Sequence, residues 1–260
     1  LDHLDALLPH EAEYWGFAAL ALASDFSPKV IIDIGANRGH SARAFLKILP
    51  GWEVVSFEAN AMHSARLASI AARFPDRFSF TIAAITDAPK GELELYTPVY
   101  RGLAMHSCSA LSSQEALIGA ESGFPALRGA FEVVRTRTPT MSIDSVGLSA
   151  SFVKLDVQGE ELNALKGMAS MLARCKPVLL VEMNLLELAP VSAREQLVEF
   201  LTGLGYEPWA FDVEARTFAP GWSDVAVRRN QFFVHSTRAF VGAVAGTGQA
   251  RTRGEAATRV

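Results

Sequence analysis

Residues 30–39, Val-Ile-Ile-Asp-Ile-Gly-Ala-Asn-Arg-Gly, constrain this chain more than any other stretch. A short apolar run rich in β-branched residues is the pattern of a buried parallel strand. It enters a loop whose glycines, Gly35 and Gly39, stand four apart behind Asp33, and an alanine-rich helical pattern follows. Strand, glycine loop and helix, in that order, build the ligand crevice at the carboxyl ends of an open α/β sheet. The spacing is D-x-G-x-x-x-G instead of the G-x-G-x-x-G of dinucleotide sites, which points to a nucleoside ligand without a pyrophosphate.

The same rhythm continues along the chain. Residues 54–58, 78–83, 152–156 and 177–182 read as strands, and residues 40–49, 62–74, 160–172 and 193–204 as helices, the last stopped by Gly205. Alternating strands and helices imply βαβ units, hence a mostly parallel sheet with helices on both faces. Residues 206–212 and 231–235 read as a closing pair of strands. Between residues 87 and 138 the rhythm changes: 92–96 and 132–137 alternate like exposed strands, and Gly, Ser and His gather over 100–113. An insertion over a rigid sheet is the natural source of specificity.

Residues 1–27 read as a helical lead-in, with Leu4, Leu7, Leu8, Tyr14, Trp15, Phe17 and Leu20 on its apolar face. Residues 28–237 form the main domain. Residues 238–260, rich in Ala, Gly, Thr and Arg, hold few anchors and are expected to be disordered.

A chain of 260 residues, half of them apolar, suits one α/β domain with a sizeable core. The net charge of −4 and the lack of a long basic run argue against a nucleic-acid partner. The apolar stretch at 17–23 is too short for a membrane span, and the acidic residues before it do not resemble a signal peptide. Cys108 and Cys175 lie far apart and share no metal-ligand spacing, so free thiols and a cytoplasmic location are expected.

Three acidic side chains stand at strand ends. Glu58 ends the strand after the glycine loop, where a carboxylate can accept both hydroxyls of a ribose. Asp156 ends another strand and by the crevice rule faces the same pocket, as ligand contact, general base or helix cap. Glu182 and Asn184 end the next one, and with Asp156 they make an oxygen-rich cluster able to hold Mg²⁺, although strand ends often gather oxygens without a metal. His106 lies in the insertion and can meet a substrate. His63 is expected on an exposed helix face, and Lys154, central in a strand, is expected to pair with a carboxylate. No G-x-S-x-G, H-E-x-x-H or P-loop pattern occurs, which speaks against hydrolase, metalloprotease and NTPase chemistry.

Together these blocks resemble the FkbM family of class I S-adenosylmethionine-dependent methyltransferases. Residues 33–39 resemble the family's D-[VI]-G-A-N-x-G and are followed by Ser41. Residues 57–60, Phe-Glu-Ala-Asn, resemble its F-E-P-N with Ala59 in place of the proline. Residues 154–161, continuing through Leu165, Lys166 and Gly167, resemble K-[IL]-D-[VI]-E-G-x-E-x-x-x-L-x-G, with Gln158 where the family usually has glutamate. Residues 140–144 and 177–182 add supporting matches, with Asp144 as the aspartate of a T-L-D segment.

The resemblance implies a Rossmann-like α/β fold with a seven-stranded, mostly parallel sheet and one antiparallel strand. It also implies S-adenosylmethionine across the carboxyl ends of the strands. Gly35, Ala36, Asn37 and Gly39 would cradle its methionine moiety, with Asp33 and Ser41 completing the loop. Glu58 would hold the ribose, with Ala59 beside it; Asn60, Ala84 and Ile85 would lie near the adenine, and Asp156 at the reacting centre. The implied reaction is O-methylation of a small-molecule or carbohydrate hydroxyl, such as a sugar or polyketide. Asp156 is the first candidate base, with Glu182 or His106 as alternatives. Two other readings share the pocket: a nicotinamide-dependent oxidoreductase, and a catalytically silent S-adenosylmethionine-binding module.

Overall fold

The structure, a computed structural model, describes residue 9 and residues 11–183, 191–223 and 229–238. The expectations for Leu4, Leu7, Leu8, Asn184 and residues 239–260 fall outside the described residues. In chain order the strands are Val30–Ile34 (β1), Glu53–Glu58 (β2), Phe78–Ile82 (β3), Ala84–Ile85 (β4), Glu92–Tyr100 (β5), Leu103–Ala104 (β6), Glu132–Met141 (β7), Phe152–Leu155 (β8), Val178–Glu182 (β9), Tyr206–Asp212 (β10), Thr217–Pro220 (β11) and Asn230–His235 (β12). The α-helices are Tyr14–Ala23 (α1), His40–Ile48 (α2), Ser64–Arg73 (α3), Ser113–Gly123 (α4), Ile143–Val146 (α5), Glu161–Lys166 (α6), Ala169–Cys175 (α7) and Val191–Gly203 (α8).

The main sheet runs β11-β10-β12-β9-β8-β1-β2-β3. Parallel pairing joins β3, β2, β1, β8 and β9, and β12 runs against both β9 and β10. Seven strands with β12 reversed match the expected class I methyltransferase sheet, and β11 is an eighth strand beyond it. A turn makes this extra hairpin: Asp212 Oδ1 accepts the N–H groups of Glu214 and Ala215, each at 2.9 Å. Phe218 of β11 then packs on Phe211 and Phe232, with ring centroids 4.8 and 5.0 Å away.

Successive residues of the central strands point to opposite faces, and both faces are buried. Ile31, Val54, Phe152 and Leu180 share one core with Tyr14, Phe17 and Leu20 of α1, Phe45 of α2 and Leu67 of α3. Ile32, Ile34, Val153, Leu155 and Val181 share the other with Leu165, Leu172 and Leu201 of α6, α7 and α8. Helices therefore cover both faces, as the alternating pattern implies. The lead-in helix is core: Phe17 stacks on Phe152 at 4.7 Å.

The helix expected over 160–172 is broken at Gly167. A Cβ there would come within 2.3 Å of the Thr86 carbonyl oxygen, so the chain presses against the connection after β4. Asp144 restarts the helix by accepting the N–H groups of Ser170 and Met171 at 2.8 and 2.9 Å. The aspartate of the T-L-D segment is thus a helix cap.

Residues 84–141 build a second sheet, β4-β7-β5-β6, with β5 and β7 antiparallel from Glu92 opposite Pro139 to Val99 opposite Glu132. Both strands are longer than the alternation alone suggested. The insertion also carries α4, whose N-cap Ser112 accepts the N–H of Glu115 at 3.2 Å.

Candidate active site at the strand ends

Strands β2, β1 and β8 are neighbours, so the loops after them meet. Gly35 follows β1 with φ +82°, and a Cβ on it would lie 1.7 Å from the carbonyl oxygen of Asp156. Only glycine lets the two loops close this far. The N–H groups of Gly35 and Ala36 donate to the Phe57 carbonyl at 2.9 and 3.2 Å, which ties the first loop to β2.

Glu58 completes that tie. Its Oε2 accepts the N–H of Asn37 at 2.6 Å and its Oε1 the N–H of Asn60 at 2.7 Å. Burial pushes its pKa up, and those two N–H bonds work in the opposite direction. Each oxygen keeps acceptor capacity for a further donor.

Lys154 is the centre of charge. Its buried ammonium donates to the Gly35 carbonyl at 3.0 Å and to Asp156 Oδ2 at 3.1 Å, and lies 3.7 Å from Asp33 Oδ1. Burial works against its charge, but Asp156, Asp33 and Glu11 hold its pKa above the ordinary lysine range. The expectation that Lys154 pairs with a carboxylate is met twice over.

Asp33, expected in the donor-binding loop, is fully buried beneath it. Its Oδ2 accepts the hydroxyls of Ser41 and Ser56 at 2.9 and 3.0 Å. It fixes the loop from below and does not line the cleft described next.

A cleft of about 330 Å³ opens over these strand ends, within the range of small-molecule sites. Gly35, Ala36, Asn37, Arg38 and Ser41 form one wall, Lys154 and Asp156 the floor, and the insertion segment Ala104 to Ser107, with His106, the opposite wall. Tyr14 of the lead-in helix also reaches it. Glu58, Ala59, Asn60, Ala84 and Ile85 are not among its lining residues.

The insertion covers Asn60. The Asn60 side-chain nitrogen donates to Thr97 Oγ1 at 3.2 Å and to Ser109 Oγ at 3.5 Å, and lies 3.5 Å from His106 Nδ1. His63 corrects an expectation: it is not on an exposed helix face but 3% exposed, in a single 3₁₀ turn ahead of α3, its ring 4.3 Å from that of His106. Burial, with His106 and Arg38 nearby, pushes the His63 pKa down to about 4. Burial and Arg38 also lower that of His106, so both imidazoles are neutral at pH 7.

At the far end of the floor, Asp156 meets Glu182. Burial would raise the Asp156 pKa, but Lys154, Glu182 and Gln158 outweigh it and keep the carboxylate ionised. Burial and then the charge of Asp156 push Glu182 well above the carboxylate range, so it carries the proton. Among the described residues no group of three or more His, Cys, Asp or Glu side chains could hold a metal ion. Two contributors escaped the sequence reading. Glu11, which accepts from Asn230 at 3.0 Å, lies in a segment with no motif, and Gln158 was read only as a departure from a pattern.

A family model described as Methyltransferase FkbM domain matches residues 33–208. No curated protein is detectably similar to the chain in sequence. Among solved structures, the methyltransferase FkbM from Methylobacillus flagellatus KT is similar at 16% identity and a TM-score of 0.49, over 86% of this chain and 50% of that one. This chain therefore spans about half the length of that relative. The SAH-bound methyltransferase PaMTH1 of Podospora anserina is similar at 13% identity and a TM-score of 0.42, over 85% of this chain and 77% of that one. The O-methyltransferase TomG of Streptomyces achromogenes, involved in tomaymycin synthesis and in complex with SAM, gives 12% identity and 0.43, over 85% and 79%. The stretch 33–208 covers more than half of the 260 residues and contains the glycine loop, Glu58, the insertion, Asp156 and Glu182. The chain belongs to the FkbM methyltransferase family.

Proposed function

We propose that this protein transfers a methyl group from S-adenosylmethionine to a hydroxyl of a small molecule or glycan. One observation carries the reading: the glycine loop after β1, Glu58 at the end of β2 and Asp156 after β8 come together from three neighbouring strand ends. The residues suit a nucleoside bearing an amino acid. Glu58 has acceptor capacity left on both oxygens, and the loop turns Gly35, Ala36 and Asn37 toward open space. In this reading Gly35, Ala36, Asn37 and Gly39 hold the methionine end, Glu58 the ribose, and Asn60, Ala84 and Ile85 the base. Bound there, S-adenosylmethionine supplies a methyl already activated on a sulfonium.

The protein's own part is to orient an oxygen and accept its proton. Asp156 is ionised and faces the cleft, so it accepts a hydrogen bond from an acceptor hydroxyl. Its low proton affinity makes it a stronger orienter than base. Glu182 already carries a proton and is a poor base. His106, neutral at pH 7 and lining the same cleft, suits the final removal of the proton. Among the described residues no helix is long and apolar enough to cross a membrane. Cys108 and Cys175 are free thiols, which supports a reducing, cytoplasmic setting.

The test is release of S-adenosylhomocysteine from S-adenosylmethionine with a library of sugars and hydroxylated natural products. Wild type should release it with at least one acceptor. Asp156→Asn should keep donor binding but lose at least about a hundredfold in turnover, the lower end for a positioned catalytic group. Undiminished turnover in that variant removes Asp156 from the reaction.

A further inference from the structure

Asp156 and Glu182 stand at the ends of neighbouring parallel strands, and their carboxyl groups meet at the edge of the cleft. Such a pair is held by the proton that Glu182 keeps, and any further support has to come from hydrogen-bond donors or positive charge placed between the two groups. Here the bridge is Gln158, whose Nε2 donates to Asp156 Oδ1 at 2.9 Å and to Glu182 Oε2 at 3.1 Å. Ionised Asp156 can only accept, which turns the amide nitrogen toward it, and Glu182 meets the same nitrogen with an accepting oxygen, Oε2.

The backbone brings the amide there. Gln158 has φ +58° and Gly159 φ +104°, so the chain turns sharply after β8. Glu161 holds the turn: its Oε1 accepts the N–H groups of Val157 and Gly159 at 3.2 and 3.1 Å. A glutamine in the left-handed region is strained, so its surroundings maintain the conformation.

An amide nitrogen has two hydrogens, and both are used on the two carboxyl groups. The amide therefore stands where a bridging cation would stand. The other Asp156 oxygen, Oδ2, is engaged by Lys154 at 3.1 Å.

We propose that Gln158 decides how this carboxyl pair is bridged, by a side-chain amide instead of a divalent cation, and that the centre works without a metal for that reason. The inference rests on the carboxyl cluster alone and stands apart from the identity of the methyl donor. Gln158→Glu keeps the side-chain length and puts a third carboxyl group beside Asp156 and Glu182. Gln158→Gly deletes the amide at a φ that glycine adopts freely.

The experiment is a Mn²⁺ titration of the full chain at pH 8, followed by electron paramagnetic resonance, with Mg²⁺ as competitor. Wild type should show no stoichiometric site. Gln158→Glu should gain one Mn²⁺ site at least about tenfold tighter than any wild-type binding, and Gln158→Gly a weaker one. Stoichiometric binding by wild type, or no gain in either variant, overturns the proposal. Calorimetry with S-adenosylhomocysteine on the same samples separates the two ideas: lack of binding there defeats the methyl-transfer reading and leaves the Mn²⁺ result intact.

Discussion

Gly35 has no room for a side chain, and the obstacle is the backbone of the next strand end. A Cβ would overlap the Asp156 carbonyl oxygen at 1.7 Å, and the φ of +82° is unfavourable for alanine besides. Gly35→Ala should therefore cost about 3 kcal/mol or more by urea denaturation. Gly39→Ala meets the flexible end of Ile70 at 2.3 Å and should cost less. Equal losses would show that the close approach at Gly35 is unimportant.

Glu182 makes a second prediction at this scale. Its pKa is pushed from 4.5 up to about 9, by burial first and then by Asp156. A raised acid binds in the folded state a proton that the unfolded chain has released. Its contribution to stability is thus full below pH 4.5 and lost as pH rises toward 9. Between pH 6 and 8, Glu182→Gln should gain on wild type by about 1.4 kcal/mol per pH unit. Parallel stability curves would mean that Glu182 is ionised in the folded protein.

Residue types were legible in sequence where a motif fixes the backbone, as at Gly35 and Glu58. They were not where burial decides. Asp33 and His63 read as a donor contact and a surface residue, yet the fold encloses both.

At the scale of elements, Asn60 ties the insertion to the strand end beneath it. Asn60 accepts the N–H of Met62 at 3.1 Å, capping the 3₁₀ turn, while its nitrogen faces Thr97 and Ser109. Asn60→Ala removes the cap and those bonds and should cost about 1–2 kcal/mol. It should also speed limited proteolysis within 100–110, and unchanged cleavage there would show that the insertion is anchored elsewhere. The periods of the central strands and of α2, α3 and α8 were readable because each buries a continuous face. The break at Gly167 was not, since it depends on contact with Thr86, far away in sequence. The signal for α4 was present in Ser112 and Glu115, a capping pair hidden in a polar stretch.

At the scale of the molecule, a parallel sheet flanked by helices and closed by the reversed β12 places β2, β1 and β8 side by side. The α/β order was legible because buried parallel strands must be apolar throughout, and the closing strands because β12 is buried along its whole length. The eighth strand was missed because β11 is a short edge that includes Pro220. The meeting of the glycine loop with Glu58 and Asp156 was legible from the chain order of their motifs. The opposite wall of the cleft was not, because it comes from loops without a repeating pattern. The central claim is that these strand ends bind the methyl donor. Isothermal calorimetry tests it most directly: wild type should bind S-adenosylhomocysteine at one site, and NADH should not bind. Glu58→Ala should weaken that binding by roughly ten- to a hundredfold, the worth of hydrogen bonds to a charged group. No binding of S-adenosylhomocysteine, or binding untouched by the loss of Glu58, would contradict the account.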